Sequence, residues 1–161
     1  MGKSGDRDKR MNVHFIKSSE KKKIVEQLNK QFGIENLNYL LIETGKEKIR
    51  AFSGNLSKEE IIELGKIANI EIIGLYSINK ERTDDLRLTL DALHLLKDQI
   101  SNNIIEINSD QFHKWIRGHD LNVAAQKGAV IIKYDSDFVG CGKSNGLKIF
   151  NYVPKDRRLR K

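Results

Sequence analysis

The run Gly140-Cys141-Gly142-Lys143-Ser144 concentrates the chemistry-bearing types of this chain: a thiol, a cation and backbone without side chains. A nucleotide phosphate loop would need a glycine five residues before Gly142, where Asp137 stands, and a helix after the serine. Asn145-Gly146 follows instead, a strong signal for a type I′ hairpin turn. The spacing therefore argues against ATP or GTP binding. The glycines keep another use, because backbone lacking Cβ lets a second chain or a phosphate come close. Cys141 is the single cysteine. A thiolate beside Lys143 would have a depressed pKa and be nucleophilic, whereas the plainer reading is a small residue filling a crowded strand.

The charge of the chain gathers in the same region. From Gly128 to Lys161 there are eight cations (Lys133, Lys143, Lys148, Lys155, Arg157, Arg158, Arg160, Lys161) against three acids (Asp135, Asp137, Asp156), while residues 12–127 hold seventeen of each sign. A localised surplus in a chain of pI ≈ 9.4 suggests a polyanionic partner over a merely solvated tail. Aromatics alternate with these cations. Tyr134, Phe150 and Tyr152 could offer faces to unstacked bases, although Phe138 and Phe150 are expected in the core. Asn151 could read a base edge or tie down its loop.

The elements that must position these residues follow from periodicity. Ile24, Val25, Leu28 and Phe32 give one buried face to a helix over 18–32, capped by Ser18 or Ser19 and stopped by Gly33. Strands are expected at 39–43 and 48–52 around a Thr44-Gly45-Lys46 turn. Ser57 and Glu60 form the S-x-x-E capping box of a helix running to about Asn69. An isoleucine-rich central strand over 70–78, a charged turn over 79–85, a half-buried strand through Leu86, Leu88 and Leu90, and a helix over 92–100 complete the first part. Ser101-Asn102-Asn103 is the expected boundary. Beyond it come a strand at 104–107, a short helix capped by Asn108 or Ser109 and bearing Phe112, Trp115 and Ile116, a short strand at Leu121 and Val123, and a glycine-punctuated hairpin.

The 161 residues allow one sizeable core or two small ones. The expected organisation is a disordered leader over 1–11, an α+β unit over 12–100 and a strand-rich unit over 104–161 too small to be comfortable alone, and so packed on the first. One cysteine and four histidines give no zinc set, since zinc wants four convergent ligands, so neither metal nor cofactor is expected. No apolar run approaches the roughly 20 residues of a membrane span, and residues 1–10 lack a signal-peptide core. A cytoplasmic protein is the expectation.

The segment Gly128-x-Val130-Ile131-Ile132-Lys133, Gly140-Cys141-Gly142-Lys143 and Lys148-x-x-Asn151-Tyr152-x-Pro154-Lys155-x-x-Arg158 resembles the PUA-like RNA-binding module of Sun/Fmu-type RNA cytosine-5 methyltransferases. Cys141 stands where an aromatic is usual in that pattern. The order of a small α+β unit, the stretch Leu86-Arg87-Leu88-x-Leu90-x-Ala92-Leu93 and a PUA-like unit is similar to the "nip seven" ribosome-assembly family. These resemblances imply an α+β fold ending in a PUA-like mixed β-barrel, archaeal in style. They also imply binding of structured ribosomal or transfer RNA in ribosome biogenesis or RNA modification, without chemistry of its own. Methyl transfer is not carried over, because the first hundred residues lack a dinucleotide-type glycine turn and a second cysteine. The expected RNA contacts are Arg117, Lys133, Lys143, Lys148, Asn151, Tyr152, Lys155, Arg157 and Arg158, with Arg117 across the groove from the others. The rival reading is a module that docks an acidic protein partner, such as an RNA-modifying enzyme or ribosome-assembly factor.

Overall fold

The computed structural model describes residues 14–68, 74–81 and 85–160. The expected leader, the first residues of the isoleucine strand and the middle of the charged turn lie outside the described residues. The first sheet is an antiparallel meander of β1 (His14–Phe15), β2 (Leu40–Thr44), β3 (Lys48–Phe52), β4 (Leu75–Lys80) and β5 (Leu86–Leu88), in that order. Helix α1 (Ser18–Phe32) joins β1 to β2 and α2 (Lys58–Ile67) joins β3 to β4. Gly33 ends α1 in the left-handed region, φ 80°, as its position predicts. The N-cap of α1 is Lys17, with no side-chain bond, instead of Ser18 or Ser19. Ser57 and Glu60 form the reciprocal capping box of α2, and those bonds hold the Glu60 carboxyl below its usual pKa.

Period-two reading fails at Leu90. Thr89 accepts a hydrogen bond from the Ala92 amide and donates to the Tyr76 carbonyl. It thereby caps α3 (Leu90–Leu96), so Leu90 starts a helix after a three-residue strand.

The second sheet is β6 (Ile104–Glu106), β7 (Gly128–Tyr134), β8 (Asp137–Ser144) and β9 (Ile149–Phe150). The β6–β7 pairing is parallel and the others antiparallel, so it is a mixed, curled half-barrel. Leu121 makes only an isolated bridge to Ile149, not the expected strand with Val123. Helix α4 (Ser109–Trp115) is capped by Asn108 and Gln111 in a reciprocal box. Glycines 140 and 142 do not bend the chain, since both lie inside β8. They make room: a Cβ on Gly140 would come 2.6 Å from the Trp115 Nε1, and one on Gly142 would meet Ile149 at 2.6 Å and the indole at 2.9 Å. Trp115 is fully buried and donates to the Val139 carbonyl at 3.0 Å.

Two apolar clusters use the two faces of this sheet. Trp115, Ile149, Val130, Ile132 and Val153 form one. On the other face Ala129, Ile131 and Cys141 join α1, the first sheet and α3 in a larger cluster that includes Leu28, Phe32, Leu88 and Leu93. The register shift at Ile132/Lys133 leaves Val139 unpaired, which resets the alternation so that Phe138 and Cys141 share a face. The Ser101-Asn102-Asn103 segment is tied down. The Ser101 and Asn102 amides donate to the Phe32 carbonyl, and Asn103 donates from its side chain to the Gln31 carbonyl at 2.7 Å. The Gln31 side chain in turn bonds both the N–H and C=O of Leu86, satisfying backbone of β5.

Replacing Gly142 by alanine is expected to destabilise the protein by about 1–3 kcal/mol through overpacking against Trp115 and Ile149. Chemical denaturation of G142A checks it, and an unchanged midpoint would mean that the indole does not pack there.

Candidate nucleic-acid interface

Strand β8 projects Gly140 and Gly142 toward Trp115 and therefore Cys141 and Lys143 toward the opposite face. Lys143 pairs with Phe150 across the β8–β9 ladder, which places the two side chains together. From Ile149 to Val153 burial alternates: Ile149 and Val153 are buried with Trp115, whereas Phe150 and Tyr152 are 38% and 37% exposed. The expectation that Phe150 is core is corrected; Phe138 is partly buried in the larger cluster. Tyr152 meets the first sheet, where the Arg87 guanidinium lies 4.2 Å from its ring centroid. Arg157, in the 3-10 turn Lys155–Arg157, donates to Asp91 of α3 at 3.2 Å. Lys148 lies 5.4 Å from the Phe150 ring centroid and 3.0 Å from Asp120.

Lys143, Lys148, Tyr152 and Arg157 thus border one strip where β8 and β9 meet β5 and α3, and Lys155 is exposed in the same turn as Arg157. Neither Lys143 nor Lys155 forms an ion pair with a described residue. The pairs made by Lys148 and Arg157 are partly solvent-exposed, and such pairs contribute only about 0–1 kcal/mol. A phosphate can compete for those cations.

Four expected contacts lie elsewhere or serve the fold. Lys133 pairs with Phe138, five residues along β8 from Lys143 and about 16 Å away by strand rise, and sits 3.6 Å from Glu106. Arg117 follows α4, and the carbonyl of the preceding Ile116 accepts from the Leu159 amide, which puts it beside the C-terminal tail. Arg158 folds across Gly118 and donates to the Val153 carbonyl at 2.9 Å. Asn151 donates to the carbonyls of Trp115 and His119 and accepts from the Val153 amide. Of its two anticipated roles, the geometry gives it the tying of the loop. Tyr134 stacks on Phe112, 4.1 Å between centroids, leaving it a packing part. Arg87 was missed because no local pattern links it to a tyrosine 65 positions later.

The hairpin tip also differs from the type I′ turn. Asn145 has no positive φ, and its side-chain oxygen accepts from the Leu147 and Lys148 amides, closing a four-residue loop instead. Cys141 is buried and its thiol is pushed up to about 11 by desolvation. This agrees with the plainer reading, a small residue filling a crowded strand, and runs against the depression that a neighbouring lysine would cause. Among the described residues no cluster of three His, Cys, Asp or Glu could hold a metal ion, and no helix is long and apolar enough to cross a membrane.

A curled mixed sheet with a capped helix on one face and a strip of cations and aromatics on the other is thus attached to an α+β unit. Residues 102–159 match the family described as the PUA domain of the methyltransferase RsmF. This part of the chain is a PUA domain, as its resemblance to the methyltransferase module implied, and PUA domains typically bind RNA. Among solved structures the chain is similar to the hypothetical protein PH0734.1 from the hyperthermophilic archaeon Pyrococcus horikoshii OT3. The TM-score is 0.54 at 12% identity, covering 86% of this chain and 93% of that one. At this identity the likeness is one of fold. Comparison with curated proteins gives no match.

Two measurements probe the site's chemistry. The Asp120 carboxyl is held below its ordinary pKa, chiefly by the Asn151 amide at 2.8 Å and further by Lys148. A carboxylate of this kind stabilises its loop fully above the unfolded pKa of about 3.9, and the contribution is lost as pH falls through the lower folded value. An NMR titration following the Asn151 amide should show a midpoint below about 3.9 that disappears in D120N. Separately, Cys141 should resist alkylation at pH 8 in the folded protein and react once denatured; prompt native labelling would contradict its burial.

Proposed function

We propose that this protein binds structured RNA, ribosomal or transfer, without chemistry of its own, and serves ribosome assembly or RNA modification. The observation that carries this reading is the convergence of Lys143, Lys148, Phe150, Tyr152 and Arg157 on one strip of a PUA domain. The cations offer counter-charge to phosphates while the rings face solvent, and phosphate contacts would supply most of the affinity. The "nip seven" layout favours ribosomal RNA, and the fold likeness to an archaeal protein is consistent with an archaeal style of assembly factor.

Four phosphate contacts, by Lys143, Lys148, Lys155 and Arg157, would give a salt slope of about −3, so affinity should fall roughly fifty- to a hundredfold between 50 and 200 mM salt. Anisotropy titration of a labelled tRNA and an rRNA stem-loop at those two concentrations measures it. The double reversal K143E/K155E should cut affinity by at least tenfold with an unchanged unfolding midpoint, whereas R158E should chiefly lower stability. Full binding by K143E/K155E would sink the reading. Recovery of an acidic protein partner from nuclease-treated crosslinks, with no RNA bound, would favour the docking module instead.

A further inference from the structure

Phe150 and Tyr152 are among the larger exposed apolar side chains and share one face of an extended segment. Ile149 and Val153 are buried on the other side, and Asn151 between them bonds the Trp115 and His119 carbonyls. That bonding fixes the segment from behind. Two residues along an extended strand span about 6.6 Å, roughly twice the 3.4 Å rise of stacked bases in one strand of a duplex. Neighbouring bases can therefore rest on both rings only if they are no longer stacked on each other, which is a property of loops, bulges and single-stranded ends. A duplex keeps its bases inside and offers only its backbone to such a strip.

The cations fit the same occupant. Lys148 near Phe150 and Lys143 beside it in the ladder flank one ring, and Arg157 and Lys155 follow the other by a few residues. Arg87 is different. Its side chain is only 15% exposed, its Nε donates to Glu81 at 2.9 Å, and its guanidinium covers one side of the Tyr152 ring. It is buried beneath the tyrosine and is not placed to meet a phosphate. Because one side of that ring is already covered, the other is where a base would lie.

We infer that Phe150 and Tyr152 form a two-ring platform for unstacked bases of a single-stranded RNA segment, with Arg87 of the first sheet as the positioning residue behind Tyr152. This rests on the RNA-binding reading and narrows it to the unpaired parts of a structured RNA. It also gives the N-terminal unit a part in the interface, since the platform is complete only when β5 is packed against the PUA domain.

Affinities for three labelled RNAs test it: a single-stranded 12-mer, a hairpin carrying that sequence in its loop, and the blunt duplex of the same sequence. The single strand and the loop should bind more tightly than the duplex. F150A and Y152A should each weaken the single strand about 10- to 100-fold and leave duplex binding unchanged, while Y152F should retain wild-type affinity. Arg87→Met should lower single-strand affinity several-fold without changing duplex affinity, and Arg87→Lys should restore part of the loss, a rescue that a purely structural role would not give. Equal affinity for duplex and single strand, or ring variants that bind every RNA as the wild type does, would overturn the platform. If K143E/K155E abolishes binding while the ring variants do not, the platform fails and RNA binding stands. Absence of binding to all three RNAs overturns both.

Discussion

The indole of Trp115 lies against a stretch of β8 that presents no side chains of its own. Glycines at 140 and 142 leave a slot into which the ring fits, with its N–H bonded to the Val139 carbonyl. A large aromatic buried edge-on against backbone gains dispersion contact and fixes three things at once: the seat of α4, the pairing of β8 with β9, and the path of the chain after Phe150. Asn151 completes the arrangement by bonding the Trp115 carbonyl. Everything on the outer face inherits its position from this contact, because strand alternation then sends Lys143, Phe150 and Tyr152 the other way.

The outer face meets the first sheet, not bulk solvent alone. Ile131 and Cys141 bury their side chains among Leu88, Leu93 and the residues of α1, so the two units share a core across the sequence boundary. The polar bonds of Gln31, Ser101 and Asn103 satisfy the backbone along that seam. Burial of Cys141 here explains why a thiol near a lysine in sequence is nonetheless held protonated: desolvation dominates its titration. The contact also brings Arg87 under Tyr152 and Asp91 against Arg157, residues separated by more than sixty positions.

Much of the framework was legible locally. The capping box at Ser57, the Gly33 stop, the cap at Asn108 and the charge concentration after Gly128 all rest on interactions within a few residues, which sequence spacing displays directly. The PUA-type character of the C-terminal part was legible too, through its cation, glycine and asparagine spacing. One error came where a tertiary partner decided: Leu90 obeyed a strand period, yet Thr89 bonds Tyr76 and caps a helix. Another was local: Asn145-Gly146 carried a type I′ signal, yet the Asn145 side chain bonds the Leu147 and Lys148 amides and closes a wider loop.

By itself the sequence determined the α+β class, most element positions and the part of the chain in which the cations gather, since these depend on propensity, periodicity and composition. Only the tertiary structure decided which of those cations stand together. Lys143, Lys148 and Arg157 share a strip, whereas Lys133 lies farther along β8 and Arg158 folds back to bond the Val153 carbonyl. The meaning of Gly140-Cys141-Gly142-Lys143 was decided there as well. Its glycines admit Trp115 on one face, while on the other its thiol fills a core and its lysine stands beside Phe150 at the edge of the proposed RNA strip.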